Sequence, residues 1–277
     1  MALSIRITNV TQLYPEGYYV QWTLDDVNPS VSGHYQFKIF RSGGSEGPWE
    51  PLAELLDQYS YFDQLPQPPD TKYRDYRRPN VFGLNYSFFY KIEVTAPNGS
   101  TAVVIDEPNP KLEPKQAGFW RKATRDFQKS VLLAGTPAAV LKRRRWGLRC
   151  KICLDKITRE SLRSACINCY GTGFEKGYWD PIPTRIRRSA PQGASQVTPE
   201  QRQDGNDVKI HIPRIPNVEE GDLIVFTRDN KRYIADQQVE TQITLTPVHQ
   251  VVSALEIPRD NIIYRIKIDT QSRNPIL

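Results

Sequence analysis

Tyr86-Ser-Phe-Phe-Tyr-Lys-Ile-Glu-Val-Thr-Ala96, followed by Pro97-Asn98-Gly99-Ser100 and Thr101-Ala-Val-Val-Ile105, decides the fold class. Aromatic and β-branched residues crowd its first part and alternate with polar ones, the pattern of a half-buried strand. Pro-Asn-Gly-Ser is turn chemistry, and the apolar return completes a hairpin. Towards the N-terminus the same grammar recurs. Ser4–Val10 alternates with period two, Tyr18–Leu24 follows Pro15-Glu16-Gly17, and His34–Arg41 follows a loop with Pro29 and Gly33. Trp49–Leu52 comes after the glycine-rich turn Ser42–Gly47, and Tyr59–Asp63 after that. Seven short strands punctuated by turns imply a sandwich of about 100 residues, with Trp22, Phe37 and Tyr90 in its core. The 22 prolines against a single methionine argue in the same direction, because proline is excluded from helix interiors. The chain is expected to be mainly β.

These residues resemble the fibronectin type III family: Trp22 in the second strand, Tyr35-x-Phe37-x-Ile39 in the third, and Tyr86 where that family carries its corner tyrosine. The resemblance covers roughly residues 4–107 and implies an interaction or spacer module. The connection from Phe62 to Gly83 is longer than the family norm, and its aromatic and arginine-rich 68–80 loop is a candidate partner contact. His34 is read as a solvated histidine at a strand start.

Pro108, Pro110 and Pro114 mark a linker within 108–145. Lys115–Ala134 then has helical spacing: Phe119, Trp120, Ala123, Phe127, Val131 and Leu132 recur at intervals near three and four, with Arg121, Lys122, Arg125 and Lys129 largely opposite. Gly135-Thr136-Pro137 stops it. A basic amphipathic helix of this kind is expected to pack on a neighbour rather than on a membrane. Nowhere does an apolar run reach the ~20 residues that span a bilayer.

All four cysteines follow, as Cys150-x2-Cys153, twelve residues, and Cys166-x2-Cys169. Two residues between thiols let one tight turn present both sulfurs to one ion, and two such turns complete a tetrahedral set. Soft thiolates favour a structural zinc ion; disulfides, a redox pair and an iron–sulfur cluster are the alternatives. Gly171 and Gly173 permit the backbone to bend so that amides approach the sulfurs. Cys166-x2-Cys169-x-Gly171-x-Gly173 resembles the zinc knuckle of Hsp40-type chaperones, though in a single copy, and 146–188 as a whole is similar to a zinc ribbon. A closed four-thiolate site does not imply metal catalysis.

Charge is divided unevenly. Residues 1–110 carry 8 Lys/Arg against 13 Asp/Glu (−5), residues 111–190 carry 19 against 6 (+13), and residues 191–277 carry 10 against 12 (−2). A bound divalent ion with four thiolates would lower the middle value to +11. Lys142, Arg143, Arg144 and Arg145 precede the first cysteine pair, while Arg185, Arg187 and Arg188 follow the second. These seven are the candidate partner-binding residues, facing an acidic protein surface or nucleic-acid phosphates.

After a polar loop at 189–206, strand grammar returns over 207–277: Val208–Ile212, Gly221–Phe226, Arg232–Asp236, Val239–Thr246, Val248–Leu255 and Asn261–Ile268. A small β-barrel is expected there. His211 and His249 fall on different strands and are read as structural. Val218-x2-Gly221-Asp222-Leu-Ile-Val, Lys231-Arg232-Tyr233-Ile234 and Pro247-Val248-His249-Gln250 resemble the connector and adaptor proteins of tailed bacteriophages. The resemblance implies a virion structural protein of the neck, made in the host cytoplasm. It would act without catalysis as a homo-oligomeric ring subunit contacting portal, adaptor or tail proteins. A zinc-ribbon nucleic-acid-binding protein and a tail or baseplate protein are the alternative readings. No Gly-x-Ser-x-Gly, phosphate loop or His-Glu-x-x-His points to an enzyme.

Overall fold

The computed structural model describes residues 3–13, 17–25, 27, 31–64, 88–106, 114–153, 166–189, 207–243 and 246–268. The 68–80 loop, Tyr86, the linker residues 107–113 and nearly all of the 189–206 loop lie outside them. The chain is mainly β and divides into two compact units, Met1–Pro110 with Arg145–Arg149, and Lys111–Arg144 with Cys150–Leu277.

All seven strands expected in the first unit are present: β1 (Ser4–Leu13), β2 (Gly17–Asp25), β3 (Gln36–Ser42), β4 (Glu50–Leu56), β5 (Ser60–Gln64), β6 (Phe89–Thr95) and β7 (Thr101–Asp106). They pair antiparallel in two sheets, ordered β1-β2-β5 and β4-β3-β6-β7. The hairpin between β6 and β7 closes as read, Ala96 N–H donating to Ser100 O at 2.8 Å with Gly99 at φ +83°. Trp22, Phe37 and Tyr90 are fully buried, and the Trp22 and Phe37 rings meet at 5.4 Å between the sheets. Each such side chain contributes about 2–3 kcal/mol by leaving water. A polar bridge crosses the same core. Asp63 on β5 accepts from Tyr90 Oη at 2.8 Å and from Arg41 Nη1 at 3.0 Å.

Residues 145–149 group with this unit, apart from the four cysteines. Trp146 is buried with its ring 6.3 Å from Phe37, and Arg149 N–H donates to Ser32 Oγ at 3.1 Å. A large aromatic in an arginine run finds its apolar cover where it can.

The second unit opens with α1 (Pro114–Ala134), as the periodicity implies. Val131 is buried and Trp120, Ala123 and Phe127 half-buried, whereas Phe119 and Leu132 are exposed. β8 (Thr136–Leu141), β9 (Ile182–Arg188), β10 (Asp207–Pro213), β11 (Leu223–Phe226), β12 (Arg232–Ile243) and β13 (Thr246–Glu256) close a barrel in the order β10-β13-β12-β11-β8-β9. The barrel is therefore not confined to 207–277: two of its six strands flank the cysteines. Their prolines and alanines hide them from a propensity reading, because strand character there comes from neighbours rather than from β-branched residues.

Val140, Ile186, Ile210, Ile224, Tyr233 and Val252 lie in the barrel core. On the outside, Leu141, Leu223 and Val225 are covered by Tyr178, Ile257 and Ile263. Both faces of β11 are thus dry, which explains the unbroken apolar run Leu223-Ile-Val-Phe226. Arg232–Asp236 and the first part of Val239–Thr246, read as separate strands, join in β12 across a bulge between Ala235 and Gln237, while Thr246 opens β13. The strand expected at Asn261–Ile268 is instead a 3-10 turn at Ile262–Arg265. Asn261 Oδ1 accepts from Ile263 N–H at 3.0 Å, a cap that competes with extended pairing. Arg232 donates to the carbonyls of Ile263 and Ile266 and holds the turn down. Among the described residues no helix is long and apolar enough to cross a membrane.

Candidate metal centre

The segment between β8 and β9 leaves the barrel and returns to it at the same place, since Val140 pairs with Ile182. The two chains keep pairing beyond the rim. Trp179 N–H donates to Lys142 O at 2.8 Å, Arg143 bridges Tyr178, and Arg144 N–H donates to Gly177 O at 3.0 Å. Beyond this stem, Cys150 N–H donates to Gly173 O at 3.0 Å and joins the first cysteine turn to the second.

Cys150, Cys153, Cys166 and Cys169 are all buried, with their sulfurs within 4.8 Å of one another. Cys150 and Cys166 sulfurs lie 3.7 Å apart, and those of Cys153 and Cys169 lie 3.2 Å apart. These are free thiols, far beyond the ~2.05 Å of a disulfide bond. Sulfurs bound at ~2.3 Å to one tetrahedral ion sit about 3.8 Å apart, so the set fits a single metal ion.

Local backbone geometry prepares the sulfurs. Tyr170, Gly171 and Gly173 have φ of +49°, +82° and +81°, and the amides of Gly171 and Gly173 hydrogen-bond to the Cys169 sulfur. Glycine tolerates such angles without steric cost. Burial pushes the Cys150 thiol up, but the Asn168 side chain and the amides of Ile152 and Cys153 outweigh it and bring it down to about 6. Burial likewise raises Cys169, and there it prevails. Four thiolates around one ion would leave no open coordination position, the donor set of a structural site.

The seven basic residues separate into different roles. Lys142 is buried, with Nζ 2.6 Å from Asp222 Oδ2 and 3.0 Å from the Asn217 carbonyl, so it is an internal ion-pair partner rather than a docking residue. Asp222 also accepts from the amides of Arg143 at 2.8 Å and Glu219 at 2.7 Å. The parity of β8 turns Lys142 inward, which a run of four cations does not reveal. Arg144 stacks on Trp179, with Cζ 3.9 Å from the ring centroid. Arg143 and Arg145 are exposed.

On β9, Arg185 Nη1 donates to Leu132 O at 3.0 Å and Gly135 O at 3.4 Å, taking up carbonyls that the end of α1 leaves without helical partners. Arg187 donates to Ser130 Oγ at 3.4 Å, and Arg188 to Tyr233 Oη at 3.1 Å. Arg185→Ala is expected to cost about 0.5–1.5 kcal/mol, the net range of a typical hydrogen bond near solvent. It should appear as faster amide exchange in the last turn of α1, and unchanged exchange would refute the capping role.

His34 pairs with Asp57, and Asp57 also accepts from Tyr35 N–H at 2.8 Å. His211 and His249, on strands that the sequence leaves unconnected, come together with ring centroids 5.9 Å apart. Sequence reasoning also missed Asp222 and Gln250. The Gln250 amide satisfies Pro213 O, Pro216 O and Val218 N–H, each at 2.8 Å.

No family model and no curated protein matches the chain. Fold and site define its class on their own: a mainly β protein in which a closed six-stranded barrel carries a four-cysteine, metal-fitting insertion.

Proposed function

We propose that the chain is a non-enzymatic virion structural protein of a tailed phage, a ring subunit of the head-to-tail connector at the neck, with one structural zinc ion on Cys150, Cys153, Cys166 and Cys169. The observation that carries this reading is the buried four-cysteine set in a hairpin insertion of a small barrel. It is a staple for a segment with little apolar core of its own, in a chain made of separate β units. The three-on-four sheet order of the first unit supports a fibronectin type III-like sandwich. Small units gain stable orientation by repeating weak contacts around a ring. Portal, adaptor and tail proteins are the partners this reading assigns.

Virion imaging with copy-number determination by mass spectrometry tests it. The expected result is density at the neck and a copy number divisible by the connector symmetry. Density at the baseplate would keep the structural class and move the chain to the tail. Absence from virions would overturn the proposal.

A nucleic-acid-binding role is favoured by one specific observation: Arg143, Arg145, and Lys115, Lys122, Arg125 and Lys129 of α1 are exposed. That role requires duplex or single-strand binding whose affinity falls steeply with salt. A flat salt response, or no binding at low salt, would exclude it.

A further inference from the structure

Helix α1 lies on the barrel against β9, β12 and β13. Its inner side brings Phe127, Ser130 and Val131 down onto that surface, while Arg125, Asp126 and Lys129 are exposed. Phe127 stacks nearly parallel on His249, with centroids 4.3 Å apart and planes at 10°. His249 is 5.9 Å from His211, whose Nε2 lies 2.9 Å from Ser189 Oγ. Strand register fixes what else faces this pair. His211 stands opposite Arg187 on β9 and Val251 on β13, and His249 stands opposite Pro213 on β10 and Thr241 on β12. Lys209 is the next residue on the same side of β10, and Asp207 holds a register position two rows from His211. Arg187 thus faces His211 from β9, and Lys209 stands beside it on β10.

We propose that His211 and His249 form a proton-operated latch under α1: with both rings neutral the helix is clamped to the barrel, and protonation in mildly acidic solution loosens the clamp. The stacked Phe127 ring would itself tolerate a cation on His249. The destabilising element is the second positive charge on His211, added beside Arg187 and Lys209 on a half-buried surface. Burial lowers His211, and Arg187 and Lys209 lower it further; burial and then His211 lower His249. Imidazoles depressed in the fold contribute stability that is fully present above their unfolded value of ~6.5 and is lost as pH falls through the folded values. The latch is therefore shut at neutral pH and opens below it. Its working part is the contact that keeps α1, with its exposed lysines and arginine, on the barrel.

Hydrogen exchange on the full chain between pH 7.5 and 5.5, corrected for intrinsic rates, tests the latch. Protection of α1 amides relative to those of β11 should fall by about tenfold or more, the scale set by two like charges at this separation. The double variant His211→Asn, His249→Gln should show no such fall. Imidazole NMR titration of the unaltered protein supplies a second measurement that needs no variant, and both rings should titrate below the ordinary histidine range. Constant α1 protection, an equal fall in the double variant, or rings that titrate at or above the ordinary value would each overturn the proposal.

Discussion

Cys166→Ser should reduce the metal content of the purified chain from one ion to near zero and should unfold residues 166–181. Apparent binding energies of structural zinc sites run to about 10–16 kcal/mol, comparable to or above the whole stability of a typical domain. Removing one of four thiolates forfeits most of that. Few large side chains are available to compensate, because Phe174, Tyr178 and Trp179 are the main buried aromatics after Cys169. Amides of residues 166–181 should lose protection, while β2, β3 and β6, whose core is Trp22, Phe37 and Tyr90, should keep theirs. A strong chelator should reproduce the effect in the unaltered protein. Elemental analysis and hydrogen exchange together decide the matter. A metal-free variant with full protection at 166–181 would show that the thiols are ordinary core residues.

Lys142→Ala should cost about 3–5 kcal/mol, the range for breaking a buried ion pair from one side. The reason lies in what remains. Asp222 is wholly buried, and burial already pushes its carboxyl up against the opposing effect of the Lys142 ammonium. Without that ammonium the carboxylate must take a proton or sit uncompensated, and the Asn217 carbonyl loses a donor as well. Replacing both members, as Lys142→Met with Asp222→Leu, should recover part of the loss, although the Arg143 and Glu219 amides then lack their acceptor. Denaturant unfolding of the two variants beside the unaltered protein measures this. A Lys142→Ala loss below about 1 kcal/mol would place Lys142 with the surface cations.

How much was legible depended on whether a signal was local. The seven strands of the first unit, helix α1 and the cysteine set were all written in short-range text: alternation, 3.6-residue periodicity, and pairs two residues apart. The barrel was legible only in part. β8 and β9 are separated in sequence by the whole cysteine segment, and neither Thr-Pro-Ala-Ala-Val-Leu nor Ile-Pro-Thr-Arg-Ile-Arg-Arg declares itself without its partner. Trp146 failed for the opposite reason. Its neighbourhood is so strongly basic that the charge pattern hid an apolar anchor, which closes on Phe37 more than a hundred positions earlier. Lys142 shows that a run of like charges can conceal one member with a different fate. A strand's period of two sends alternate residues to opposite sides whatever their charge.

The barrel hairpin that carries the cysteines also acts as a graft point. β8 and β9 are neighbours in the closed sheet, so residues 142–181 leave and re-enter over a gap that a tight turn can span. Chain length between two fixed, adjacent ends costs little, growing only with the logarithm of the loop. Segments of other lengths are therefore expected to be accepted at this position, provided Lys142 and Tyr178, which bind back to the barrel, are kept. Exchange of the part beyond the Arg143–Tyr178 bridge, by recombination or by design, is expected to change what the molecule displays while the barrel strands keep their register.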